Sequence, residues 1–312
     1  MPAVCAAVVL LALCLGPSGF GWPAGRQLMA IRLPRVLLAL LCGTGLAVSG
    51  AGLQAVLGNP LAEPYLLGIS GGAAFGAALG LMLGLVSALG GTLGLPLMSF
   101  GFGLLALFAV YRLAKIHGRL PSETVILSGI IINAFFSGLI MLLLSLAGRQ
   151  FGEMIYILMG NLGIVFTPGT VYIFILCLVL VLFGVLYLWS QSRSLDLLSL
   201  GEAQAQSLGV DVKKLKLKVF LVSALMVSSI VSLSGVIGFV GLIVPHLARM
   251  AAGPKNIRLI PLSALMGGAL LVLSDTVART VVPQEIPVGV VTALLGVPFF
   301  VYLLWRKKRS LR

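Results

Sequence analysis

Acidic side chains are scarce in this chain, with eight Asp and Glu against 21 Lys and Arg, and it has only two histidines in 312 residues. A carrier coupled to protons or sodium keeps carboxylates deep in the membrane, where an ionisable group is expensive and needs a purpose. Here Glu63, Glu123, Asp196, Glu202 and Asp211 are expected at an inner face, and Glu153 and Glu285 at an outer one. Only Asp275 falls inside an apolar span, and Arg279 follows one helical turn later to neutralise it. There is no GxxxxGK[ST] loop, HExxH pair or paired CxxC, so a nucleotide-hydrolysing or zinc-binding domain of these kinds is excluded. Cys5, Cys14, Cys42 and Cys177 stand in apolar runs at unrelated spacings and read as buried small hydrophobes. His246, beside Pro245, reads as a packed or interfacial residue rather than a metal ligand.

What the chain has instead is apolar sequence: 60% of its residues are hydrophobic and 9% charged. Runs near the roughly 18–20 residues that cross hydrocarbon recur along it. They place spans near 3–19, 36–57, 65–87, 96–111, 124–146, 169–190, 219–240, a short one at 241–251, then 259–282 and 287–305. The expected fold is all-α, an integral membrane protein of about ten helices in one polytopic domain over residues 1–312. The first span has neither the basic n-region nor the small-x-small site of a signal peptide and is read as a helix.

With both termini on the cytoplasmic side, the inner loops hold Arg112, Lys115, Arg119, Arg193, Lys213, Lys214, Lys216, Lys218, Arg249, Lys255, Arg258 and the tail Arg306, Lys307, Lys308, Arg309 and Arg312. That is 16 of the 21 basic residues. The positive-inside rule explains this balance, and no nucleic-acid surface is needed. Arg26, Arg32, Arg35, Arg149 and Arg279 are left outside. Arg32 and Arg35 flank a stiff Leu-Pro at a span entrance, and Arg279 has Asp275 as a local partner.

From Arg32 to Ala73 the chain enters a span, breaks at Asn59-Pro60 and Pro64, and restarts in a glycine-rich helix. Non-helical backbone at membrane depth is tolerated only where protein or a watery path surrounds it, so this break marks a transport pathway. Gly68, Gly72, Gly76, Gly80 and Gly84 recur every fourth residue and offer small-xxx-small surfaces for a neighbouring helix. Ser49-Gly50, Pro60 and Gly68 return at the same spacing as Ser234-Gly235, Pro245 and Gly253. That echo suggests a five-helix unit repeated once with inverted topology, a recurring transporter plan. The inner loop 191–218 is the most polar region. It contains Glu202-Ala-Gln-Ala-Gln-Ser-Leu-Gly209, a short helical piece stopped by glycine, and then Asp211 and four lysines. It is either a solvated connector or an ordered dock for a soluble partner. With no energy source of its own, the chain points to a permease driven by a partner.

Several ordered motifs then carry a family resemblance from about Arg32 to the C-terminus. They are Arg32-Leu-Pro-Arg35, Ser49-Gly50 with Gln54, Asn59-Pro-Leu-Ala-Glu-Pro64 and Leu67-Gly-Ile-Ser-Gly71. Later come Leu200-Gly-Glu with Leu208-Gly209, Gly238-Phe-Val-Gly-Leu with Pro245-His246, and Ile286-Pro-Val-Gly-Val with Gly296. The chain resembles the permease subunits of ABC importers for iron-siderophore, haem and cobalamin. The resemblance implies a ten-helix homodimer in the cytoplasmic (inner) membrane, two ATP-binding cassette subunits inside, and a periplasmic or lipid-anchored substrate-binding protein outside. It implies no cofactor in this chain, ATP and Mg being used by the partner ATPase. By the same resemblance Arg32, Arg35 and Arg279 would receive glutamates of the binding protein. Asn59, Leu61, Ser122 and Glu123 would form a cytoplasmic gate, and Glu202, Ala205, Leu208 and Gly209 would couple to the ATPase. Two positions depart from the family pattern: Glu123 is acidic where small polar gate residues are common, and Ile157-Leu-Met-Gly160 lacks a tryptophan before Met-Gly. The alternative class, an ion-coupled secondary transporter, requires an unpaired membrane carboxylate, and an intramembrane enzyme requires a catalytic constellation. The sequence offers neither.

Overall fold

The break after Leu57 and the glycine ladder beyond it set the frame of the fold. The computed structural model describes residues 1–16, 19–20, 26–65, 67–85, 94–116, 120–164, 166–282 and 285–310. Arg119, Arg312, the last part of the expected span 65–87 and most of the Gly/Pro-rich stretch 16–25 lie outside the described residues. In chain order the helices are α1 (Pro2–Cys14), α2 (Arg26–Leu57), α3 (Ile69–Met82), α4 (Gly94–Ala114), α5 (Ser122–Leu146), α6 (Phe151–Met159), α7 (Pro168–Ser190), α8 (Ser192–Leu198), α9 (Glu202–Ser207), α10 (Val212–Ser234), α11 (Val240–Ala252), α12 (Asn256–Thr280) and α13 (Val288–Ser310). A two-residue hairpin, Leu15–Gly16 against Gly19–Phe20, follows α1.

Ten of these helices answer the ten expected spans, and α6, α8 and α9 are short additions. Among the described residues six helices (α2, α4, α5, α7, α10 and α12) are long and apolar enough to cross a membrane, while α1, α3, α11 and the apolar part of α13 are shorter. The core forms around α2 and α10, where Leu38, Leu53, Met226 and Ile230 are fully buried. Glycine lets the neighbours approach. A Cβ on Gly43 would meet the carbonyl of Gly267 in α12, and one on Gly50 would meet the carbonyl of Gly241 in α11. The ladder on α3 serves packing as expected: Gly72 and Gly76 face the backbone of α4 at Phe102 and Met98.

Three sequence expectations need correction. The expected span 219–240 begins at Val212 and stops at Ser234, because Asp211 caps the helix by accepting the Lys214 N–H at 3.0 Å, and Gly235 turns the chain at φ 68°. The four lysines therefore lie on a helix, not on a connector. The span read as 65–87 is a shorter helix, α3, reached through turns within 58–65 and at 67–68. Finally, the Ser-Gly/Pro/Gly echo joins unlike structure, since Ser49-Gly50 is inside α2 whereas Ser234-Gly235 ends α10. The halves correspond as elements: long α2, break, short α3, long α4, and again long α10, break, short α11, long α12. Each short helix starts after a left-handed residue, Gly68 at φ 74° and Phe239 at φ 67°.

Candidate functional site

Polar groups gather at the two ends of α12. At its C-terminal end the three singled-out arginines come together. Arg32 and Arg35 lie on successive turns of α2, while Asp275 and Arg279 lie on successive turns of α12. Arg35 donates through Nε to both Asp275 oxygens at 3.0 and 3.1 Å, and its Nη2 stands 2.9 Å from Asp275 Oδ1. Its Nη1 meets Glu285 Oε2 at 2.8 Å, and that carboxylate is 44% exposed. Arg279 pairs more loosely with Asp275 at 3.8 Å. Arg32 and Arg279 are buried and donate to the carbonyls of Leu13 and Ala12 at the C-terminus of α1. Those last-turn carbonyls lack helical partners and carry the negative end of the helix dipole, so guanidinium groups suit them. Two carboxylates and two carbonyls thus serve these three charges. Arg35, not Arg279, is the closer partner of Asp275.

The break between α2 and α3 holds Asn59 and Leu61. Asn59 Oδ1 accepts the Leu61 N–H at 2.9 Å, a side-chain turn that fixes the loop and leaves Leu61 exposed. Leu61 and Glu63 line a cavity of about 910 Å³ with Met159, Phe239, Leu294 and Phe300. Ser122 and Glu123 open α5 and, like Asn59, are not among this cavity's lining residues. Glu63, expected at the inner face, is buried, and its Oε2 accepts the Phe239 N–H at 3.3 Å where α11 begins. His246 packs edge-to-face on Phe299, 5.8 Å between ring centres.

At the N-terminal end of α12, Asp196 of α8 accepts from the Asn256 backbone and side-chain N–H groups at 2.9 and 2.7 Å. The adjoining α9 carries Glu202 and a fully buried Ala205, followed by exposed Leu208 and by Gly209 at φ 87°. The Val210 N–H reaches back to the Ala205 carbonyl at 3.0 Å and the Gly209 N–H to Gln206 at 3.0 Å, a glycine-dependent helix stop. Asp211, exposed, is held below the usual carboxylate range by the Lys214 N–H and ammonium. The region 191–218 is thus ordered helix–turn–helix structure. Lys216, which sequence reasoning left among solvated lysines, is buried between α9 and the start of α5. Its signal was present, because Val212, Leu215, Lys216 and Val219 form one apolar-spaced helical face.

These features have counterparts in known proteins. The profile of the FecCD transport family matches residues 4–306. The chain is 40% identical over 291 residues to the cobalamin import system permease protein BtuC of Halobacterium salinarum, covering 92% of this chain and 76% of that one. It is 41% identical over 282 residues to the hemin transport system permease protein HmuU of Yersinia pestis, covering 90% and 83%. A solved metal-chelate type ABC transporter in an inward-facing conformation superposes with a TM-score of 0.86 at 33% identity, over 98% of this chain and 97% of that one. The chain belongs to the FecCD transport family. It is a multi-pass permease subunit of an ABC importer in the cytoplasmic membrane, and ATP hydrolysis in such transporters belongs to separate subunits.

Proposed function

We propose that this permease moves a metal chelate, such as an iron-siderophore or haem, or cobalamin. It would act as a homodimer with two ATPase subunits on the α8–α9 side and a substrate-binding protein on the arginine side. The observation that carries the reading is the spacing of the two polar ends along α12. Asn256, tied to α8, and Asp275, between the arginines, are 19 residues apart on one helix, about 28 Å at 1.5 Å per residue. That is close to the roughly 30 Å of hydrocarbon in a bilayer. One end is then a basic dock and the other an ordered helical dock, with an apolar cavity opened by the α2–α3 break between them.

The cavity supports the substrate class. Among the described residues its one charged lining residue is Glu63, and the others are chiefly Leu, Val, Met, Phe and Tyr. A bare ion would need rings of oxygen ligands, whereas a bulky chelate carries its own and needs a wide, slippery wall. No cofactor is assigned to this chain, and ATP with Mg would be consumed by the partner. The test is reconstitution. The purified chain alone should neither hydrolyse ATP nor transport, and both activities should appear when the ATPase subunits and binding protein are added, with haemin, a ferric hydroxamate or cobalamin as cargo. Uptake driven by a proton or sodium gradient without the ATPase, or uptake of a free inorganic ion only, would overturn the reading.

A further inference from the structure

One buried cation joins the two inner elements that the sequence had assigned separately. Lys216 is the fifth residue of α10 and is 2% exposed. Its Nζ lies 2.7 Å from Glu202 Oε1, the first residue of α9, and donates at 2.9 Å to the carbonyl of Leu120. Leu120 is two residues before Ser122, where α5 begins. Thr124 fixes that start by donating to the carbonyls of Pro121 at 2.9 Å and Ala114 at 3.1 Å. A cleft of about 330 Å³ lies beside the bridge, lined by Leu120, Glu202, Ala203, Gln206, Lys213 and Lys216. The pieces linked are 96 and 14 residues from Lys216 in sequence.

We propose that Lys216 is a positioning residue that transmits movement of the ATPase-facing helix α9 to the gate end of α5. This rests on the reading of α9 as the ATPase dock and of Ser122 and Glu123 as gate residues. An ammonium out of water must keep its oxygen partners, since an unpaired buried charge is heavily penalised. Displacing Glu202 therefore pulls on Lys216, and through it on the Leu120 carbonyl and the first turn of α5. A purely structural position would not need the charge. The neighbours on the same face are Val212, Leu215 and Val219, and an apolar side chain there would pack with them. Glu202 is 51% exposed, so Lys216→Met leaves that carboxylate to water rather than buried and unpaired.

The experiment uses the complete importer, with its ATPase subunits, in nanodiscs. Cys5, Cys14, Cys42 and Cys177 are replaced by alanine, and Ser122→Cys serves as the reporter. Labelling by a membrane-impermeant maleimide is timed with and without ATP–Mg, beside the rate of ATP hydrolysis. The parental complex should show a nucleotide-dependent change in labelling of about five-fold or more, in the range of ordinary allosteric coupling. Lys216→Met should keep its assembly and its ATP hydrolysis and lose that change. If the change persists in Lys216→Met, the inference is wrong although the gate reading stands. If the parental complex shows no change, the gate reading itself falls and the inference with it. Should Lys216→Met fail to assemble, Lys216→Gln decides. It keeps a polar head but is too short to hold both oxygens, so loss of the response supports the bridge and its retention overturns it.

Discussion

Asp275 stands between two guanidinium groups, Arg35 and Arg279, with almost no access to water. Asp275→Asn would leave those cations facing each other with Glu285 as the one remaining carboxylate among the described residues and the Ala12 carbonyl beside Arg279. Removing one partner of a buried pair costs about 3–5 kcal/mol. The expected outcome is a clear drop in the thermal midpoint of the purified permease, and an unchanged midpoint would refute the pairing. Docking is better tested at Arg35 than at Arg32. Arg32→Glu would set a carboxylate against the carbonyl end of α1 and so damage folding, while Arg35 ends at the exposed Glu285. Arg35→Gln also takes the closer partner from Asp275, so it is read on permease that stays folded, where it should weaken binding of the substrate-binding protein in low salt and flatten its salt dependence. Equal affinity in low salt would remove Arg35 from the dock. The arginines were legible in the sequence as exceptions to the charge rule. Of their partners only Asp275, one turn before Arg279, was legible; the carbonyls of Ala12 and Leu13 and the carboxylate of Glu285 are near them only in three dimensions.

Two glycines separate what an element needs from what its neighbours need. Gly209 has φ 87° and no atom within 4 Å of where a Cβ would lie, so its only constraint is its own backbone. A left-handed non-glycine residue costs about 1–2 kcal/mol, more where it is β-branched. Gly209→Val should therefore reach the membrane at normal levels yet lose substrate-stimulated ATP hydrolysis and uptake, as the stop after α9 distorts. Wild-type transport by that variant would make the turn a mere connector. Gly76 is the opposite case. It sits within α3, and a side chain there would collide with the Met98 backbone carbonyl of α4. Gly76→Val should lower the amount of folded permease recovered from membranes, with no selective effect on coupling. Both glycines were readable, one as a stop and one as a ladder. The start of α10 was not, because a lysine run reads as solvated until Val212, Leu215 and Val219 are seen on one face with Lys216.

At the scale of the whole molecule, apolar periodicity gave ten helices and the glycine stop gave α9, while the short helices α6 and α8 escaped because neither is long enough to stand out from its loop. What a single chain leaves open is its outer wall. Leu294 and Val297 of α13 line the cavity yet are 70% and 53% exposed, and α5 presents Leu127, Ile131 and Phe135 outward. The outward residues of α7, among them Tyr172, Leu176 and Val179, are not among that cavity's lining residues. In the proposed homodimer a second copy would close this exposed cavity wall, which would otherwise admit acyl chains. A two-fold axis brings the same patch of both copies together, which places residues near the axis close to their own equivalents. In a cysteine-free background, Leu294→Cys should thus form a disulfide between two copies when oxidised in native membranes. Val179→Cys, on the α7 face, should remain monomeric on the same gel. If Val179→Cys cross-links and Leu294→Cys does not, the dimer closes on α7 and the cavity beside α13 faces lipid. If neither cross-links and the solubilised permease has the mass of one chain, the pathway is not formed between two copies.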